Sequence, residues 1–191
     1  MGKMFVTSDT HFNHKNIAGP SISSWDRGYR EFNSIDEMNR TIADNINSVV
    51  GENDILWHLG DFAFGSRHRY PEMRNLLNCR TIHLIYGNHD HTIKNDPELR
   101  AMFSSCQNYK QMKINGTNFV LMHYPLHVWD GHQHGAVHLH GHCHGNLPES
   151  TRKRMDVGVD VFDIPITFDY AAQLMQARVV EKVDHHDGDT N

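Results

Sequence analysis

Five short stretches of the chain carry side chains suited to holding a cation or moving a proton. Asp9-Thr10-His11 sets a carboxylate and an imidazole two residues apart. Gly60-Asp61 offers a carboxylate behind a flexible residue, and Gly87-Asn88-His89-Asp90 offers an amide oxygen, an imidazole and a carboxylate in succession. His123 precedes Tyr124-Pro125, and Gly141-His142-Cys143-His144 brings two more imidazoles two apart. The chain holds 17 histidines, dispersed rather than gathered as a tag, with only His185-His186 adjacent in the tail. Imidazole is the commonest side-chain metal ligand. A mixed Asp, Asn and His set suits Mn, Fe or Zn. It lacks the several thiolates of a structural zinc site, and one cysteine between His138 and His144 argues against a zinc knuckle.

Singly, each stretch has a plain explanation. A lone Asp or Asn at a strand end is usually a turn former, and a lone His is usually a surface or hydrogen-bonded residue. Together they call for a common cause, because each follows an apolar run. Met4 to Ser8, Asp54 to Leu59, Thr81 to Tyr86, Asn118 to Met122 and Ala136 to Leu139 read as strands. In open α/β sheets, ligands bind beyond the carboxyl ends of the strands, where these donors fall. On an extended backbone Asp9 and His11 point to one side.

The remaining elements frame this set. Ser34 to Glu37 reads as a capping box opening a helix to about Val50, with Met38, Ile42, Ile46, Val49 and Val50 at helical spacing and Gly51 as the stop. Tyr70 to Asn78 reads as a helix opened by Pro71, and Pro97 to Phe103 as a short one. Tyr109 to Ile114 pairs with the Asn118 strand through Asn115-Gly116. Met155 to Val159 alternates like a strand. Thr167 or Asp169 caps a helix through Gln176, and Arg178 to Val183 is a closing strand. Residues 12–34 form a long surface loop holding His14, Trp25, Arg27 and Arg30.

Composition sets the outer limits. The 191 residues are enough for one domain with a substantial core, taken here as 1–183 followed by a disordered tail at 184–191. A net charge of −5 argues against a general nucleic-acid-binding surface. No run is long enough to span a membrane and no signal peptide is evident. Three scattered cysteines point to a reducing, cytoplasmic compartment. Oligomeric state is not legible.

With all five stretches in view, in order across residues 9–144, the chain resembles the calcineurin-like metallophosphoesterase superfamily. Ser8-Asp9-Thr10-His11-Phe12, Leu59-Gly60-Asp61-Phe62 and His123-Tyr124-Pro125 resemble its small bacterial and phage-type members. The resemblance implies an α/β fold, a four-layer α/β/β/α sandwich of two mixed sheets flanked by helices. It implies two divalent ions, with Mn the first choice and Fe, Zn and Ni as alternatives. Asp9, His11, Asp61 and His144 would hold one ion, and Asp61, Asn88, His123 and His142 the other. It further implies hydrolysis of a phosphodiester or phosphomonoester by metal-bound hydroxide, and an open site would suit a nucleotide or a nucleic-acid end. His89 would be the non-ligand histidine, stabilising phosphoryl charge or protonating the leaving alkoxide, and Asp90 would either hydrogen-bond His89 and favour its charged form or serve as a helix N-terminal or turn carboxylate. The alternative is a catalytically weak, metal-bound scaffold that binds a protein partner.

Outside the five stretches, His14 is a candidate substrate contact or a plain loop histidine. Arg27, Arg30, Arg67 and Arg69 are candidates for binding a second phosphate, set against the commoner role of solvated surface residues, and Arg27 and Arg30 join His14 as candidate substrate contacts. Trp129 is a base-stacking candidate set against ordinary packing. His58, His83 and His138 sit inside strands as core or sheet-face residues. Partners supporting the ligands are expected among His91, His127, His132, His134 and His140. No segment is long enough for a cap domain, so the site is expected to be open.

Overall fold

Ser34 opens the longest helix by the predicted device. Its hydroxyl accepts from Glu37 N at 3.0 Å, and the Glu37 carboxylate accepts from Asn33 N at 2.8 Å, so the reciprocal bond falls one residue ahead of the cap. Helix α1, Ile35–Val49, then buries Met38, Ile42, Ala43 and Ile46 along one face. The computed structural model describes residues 2–23, 30–148 and 150–180. Trp25, Arg27, residues 181–183 of the closing strand predicted at 178–183 and the tail at 184–191 lie outside them.

Two mixed sheets stack on each other. The first has the order β4-β3-β2-β1-β9, from β1 (Met4–Thr7), β2 (Ile55–His58), β3 (Thr81–Ile85), β4 (Ser105–Gln107) and β9 (Ile166–Thr167). Its strands are parallel except for the antiparallel edge β9. The second has the order β5-β6-β7-β8, from β5 (Lys110–Ile114), β6 (Thr117–Leu121), β7 (Val137–His140) and β8 (Arg154–Asp156). Asn115 and Gly116, both at positive φ, make the β5–β6 hairpin.

Strand alternation divides the core. Phe5, Leu56, Ile82 and Leu84 face the helices, packing with α1, with Tyr70 and Met73 of α2 (Arg69–Asn75), with Ile93 of α3 (His91–Asn95) and with Leu99 of α4 (Pro97–Arg100). Val6, Trp57 and Ile85 face the other way, meeting Phe119, Leu121, Val137 and Leu139 of the second sheet. Phe168 and Ala171 of α5 (Phe168–Leu174) close that inner layer, with Thr167 accepting from Tyr170 N as the cap. Strands buried on both faces read as continuous apolar runs, as these do. Each fully buried aliphatic chain contributes about 1.5–3 kcal/mol of transfer free energy. The outer face of the second sheet carries a thinner cover, Trp129 with Val120 and Ala136. Trp129 is packed there, its indole donating to Ala136 O at 2.9 Å, so it is not a base-stacking surface.

β4, β9 and α3 had no sequence counterpart. Each is five residues or shorter and lacks a periodic apolar pattern. At the predicted closing strand, the described residues show one isolated bridge, Arg152 with Val179. No described helix is long and apolar enough to cross a membrane.

Candidate metal centre

The carboxyl ends of β1, β2, β3, β6 and β7 all run into the same place. Asp9 N donates to Gly60 O at 3.0 Å and His11 N to Asp61 O at 2.9 Å, which fastens the first two loops side by side. Gly141 N donates to His123 O at 3.0 Å, and His142 N to Asp9 Oδ2 at 3.0 Å, which brings in the second sheet. The loops approach so closely that a Cβ on Gly87 would collide with Asp61, and one on Gly141 with Ser8 and Asp9. The backbone is strained to achieve this. Of seven described non-glycine residues with positive φ, five are Asp9 (56°), His11 (46°), Asp61 (56°), His142 (71°) and His144 (49°). Such conformations cost about 1–3 kcal/mol each and gather where side chains must be aimed.

Two donor groups result. Asp9, His11 and His144 present ligand atoms within 4.8 Å of one another, and so do Asp61, His123 and His142. Asp61 lies between them, with Oδ2 at 3.5 Å from both His11 Nε2 and His123 Nε2. Asn88 joins the second group, its Oδ1 3.0 Å from His123 Nε2 and 2.9 Å from His142 Nδ1. The residues present fit divalent cations. His11 Nε2 is buried with no hydrogen-bond partner, the mark of a nitrogen aimed at something other than protein. Burial pushes the Asp9 carboxyl up to about 7, raises that of Asp61, drives the His11 imidazole well below its usual range and takes that of His123 down to about 4. The neutral imidazoles of His11 and His123 beside the buried carboxyls of Asp9 and Asp61 form a set that a cation would complete.

The rings are held in ligand-ready tautomers. A carbonyl can only accept, so His123 Nδ1–H donates to Leu59 O at 2.8 Å, leaving Nε2 to face Asp61. His144 Nδ1 donates to Asp160 Oδ2 at 2.6 Å, and its Nε2 faces Asp9 Oδ1 at 3.9 Å. Burial would raise the Asp160 carboxyl, but its bonds to Arg30 and His144 hold it down to about 2.

Arg30 belongs to this support, which corrects its expected role as a substrate contact. It is 5% exposed, and its guanidinium donates to both Asp160 oxygens at 2.8 Å, to Thr10 O at 2.9 Å and to Asp9 O at 2.6 Å. Those donors are spent inside the protein. Asp160 itself was missed, although Gly158-Val159-Asp160 repeats, with one residue inserted, the glycine-then-carboxylate signal of Gly60-Asp61. Asp160→Asn is expected to weaken metal binding at the Asp9–His11–His144 group about 10- to 100-fold, with the Asp61–His123–His142 group much less affected. Calorimetric titration of the metal-free protein reads both steps. Equal loss at both, or none, would contradict this role.

Of the two expected roles of Asp90, the turn carboxylate is the one seen, not the partner of the His89 ring. It is fully buried, and its oxygens accept from Asp61 N and Gly87 N at 2.8 Å and from Phe62 N at 3.0 Å. It therefore locks the second and third loops together and does not hold the His89 ring. His89 is tied through its backbone, N–H to Asp61 Oδ1 at 2.8 Å, while its side chain is 41% exposed with Nε2 4.0 Å from Asp61 Oδ2. His14 sits against a candidate ligand, its Nδ1 3.3 Å from His11 Nδ1 and its ring stacked on Phe64 at 3.6 Å.

Of the other histidines, His58 Nε2 lies 2.9 Å from Thr10 Oγ1 while its Nδ1 accepts from Gly60 N at 3.2 Å, so it braces two site loops from within the core. His138 is buried between Val120 O and Leu126 N, and His83 stacks on Trp57. His140 donates to Gly141 O at 2.9 Å, at the root of the last loop. His91, His127 and His134 are exposed. Arg67 pairs with Asp96 and Glu98, and Arg69 with Glu72, on the surface.

No protein-family model matches the chain. It is 29% identical to an uncharacterized protein of Methanocaldococcus jannaschii, MJ1445, over 194 residues, 96% of this chain and 98% of the relative. It is 26% identical to the Gene 66 protein of Mycobacterium phage D29, over 92% of this chain and 96% of that one. Its fold is shared by the crystal structure of AQ665 from Aquifex aeolicus, a protein of unknown function, with a TM-score of 0.66 and 24% identity over 91% of this chain and all of that one.

Proposed function

We propose that the chain is a calcineurin-like metallophosphoesterase, a hydrolase of phosphodiesters or phosphomonoesters with a binuclear metal centre. The observation that carries this reading is the position of Asp61 Oδ2, equidistant from His11 and His123, where one carboxylate serves two donor groups. Asp9, His11, Asp61 and His144 would hold one cation, and Asp61, Asn88, His123 and His142 the other. Two divalent ions, Mn by first choice with Fe, Zn or Ni as alternatives, would supply Lewis acidity toward phosphoryl oxygens and water at neutral pH. A shared anion between them lowers the repulsion of two dications.

The chain's own groups do the rest. The buried ligands Asp9, His11, Asp61 and His123 form the floor, and the exposed Asn88 and His142 form the open side through which an ester enters. His89 stands beside Asp61 without joining either donor group. Its ring can donate to a phosphoryl oxygen as charge develops, or pass a proton to the leaving oxygen. Asp90 positions His89 only through the loop it braces.

The test is metal removal and return. Protein stripped by a chelator should be inert toward bis-p-nitrophenyl phosphate and p-nitrophenyl phosphate, and Mn should restore hydrolysis of at least one. If the chain holds two ions and remains inert toward a broad panel of mono- and diesters, nucleotides included, the enzyme reading fails and the scaffold reading takes its place.

A further inference from the structure

Tyr124 is the residue of the His123-Tyr124-Pro125 stretch to which the proposed chemistry gives no task. Its ring centroid lies 4.8 Å from that of His142 and 5.1 Å from that of His123, edge-on to both. It therefore borders the Asp61–Asn88–His123–His142 group on its open side. Tyr124 is 40% exposed. Among the described residues, Phe12, Phe62 and Phe64 beside the site are differently disposed. Phe12 and Phe62 are fully buried, and Phe64 has a face covered by the parallel ring of His14. A single exposed tyrosine on a protein surface needs no explanation. One set against two candidate ligands, at the mouth of a site, is placed to meet whatever is attached to the bound phosphate.

The chain on either side of the tyrosine is also anchored. His123 is pinned by its bond to Leu59 O, and two residues beyond Tyr124 Leu126 N donates to His138 Nε2 at 3.0 Å. An anchored segment has less freedom to lose when a flat group settles on its side chain. Of the arginines singled out in the sequence that lie among the described residues, Arg30 is buried and engaged while Arg67 and Arg69 pair with surface carboxylates. Tyr124 offers an aromatic surface beside the site instead. Base–aromatic stacking suits any nucleobase, because each has a π-face.

We propose that Tyr124 is the platform on which the base of the substrate stacks, so that the site takes nucleoside phosphodiesters in preference to alkyl ones. The inference rests on the phosphoesterase reading and assigns its substrate class. Tyr124 is a specificity-determining residue here, and the chemical step does not pass through it.

Two esters with the same leaving group isolate the effect: thymidine 5′-(p-nitrophenyl phosphate) and methyl p-nitrophenyl phosphate, each assayed with the full-length, Mn-loaded chain. The wild type is expected to favour the nucleoside ester by about 10-fold or more in kcat/KM, the size of one stacked base. In Tyr124→Ala that preference should fall to near unity, chiefly through KM, and Tyr124→Phe should keep it. An unchanged preference in Tyr124→Ala would overturn the proposal, even if both rates fall together, because equal loss marks a ring that merely supports His142. Binding provides an arm independent of turnover. Thymidine 5′-monophosphate should bind more tightly than inorganic phosphate, and Tyr124→Ala should erase that margin at unchanged metal stoichiometry. A margin retained in the variant contradicts stacking. If the wild type is inert toward both esters and toward the broad panel of mono- and diesters, and the margin still depends on Tyr124, stacking stands and the phosphoesterase reading falls.

Discussion

Asp61→Asn is expected to cost the protein metal at both donor groups. The carboxylate is 2% exposed, and its two oxygens have separate duties. Oδ1 accepts from His89 N, and Oδ2 sits at 3.5 Å from the unpartnered nitrogen of His11 and at the same distance from His123. An amide keeps one oxygen but removes the negative charge that two dications would share. Loss of a supporting partner behind a ligand costs about 10- to 100-fold in affinity, and loss of a shared ligand should exceed that at each group. His11→Ala is the contrasting variant, because its ring belongs to one group, and it should affect mainly that one. Metal analysis after equilibrium dialysis distinguishes the two. Retention of one ion at full affinity in Asp61→Asn would rule out a bridging carboxylate.

His89→Ala should lower kcat about 10²- to 10⁴-fold while leaving metal content unchanged. The ring is partly exposed, lies in neither donor group and is 4.0 Å from Asp61 Oδ2. Its removal leaves no buried cavity, so stability should change little. The main-chain N–H that serves Asp61 survives the substitution. A variant that loses metal along with activity would show His89 acting as a ligand, and one that keeps full activity would remove it from the mechanism.

The ligand-type residues were legible because chemistry and geometry leave the same mark in the sequence. An apolar run buried on both faces, then a glycine or a polar turn, then a carboxylate or imidazole, is what a strand ending at a site looks like. That pattern marked Asp61 and the Asn88-His89 pair as strand-end candidates, and the fold brings them to one edge. What the pattern could not supply was direction. Asp90 follows His89, and adjacency suggested that the two would pair, but the chain turns so that the Asp90 carboxylate faces three backbone N–H groups instead. Arg30 sits in a long loop without periodicity, which looked like a solvent-facing position; its burial depends on Asp160, 130 residues away. Long-range ion pairs of that kind have no local signature. The short strands β4 and β9 escaped for a related reason, since an edge strand of two or three residues is defined by the neighbour it pairs with.

Anomalous scattering at the manganese edge, from crystals of the chain equilibrated with Mn, tests the binuclear centre most directly. Two peaks are expected, one among Asp9, His11 and His144 and the other among Asn88, His123 and His142, with Asp61 reaching both. A single peak, or peaks that leave Asp61 without contact to metal, would contradict it.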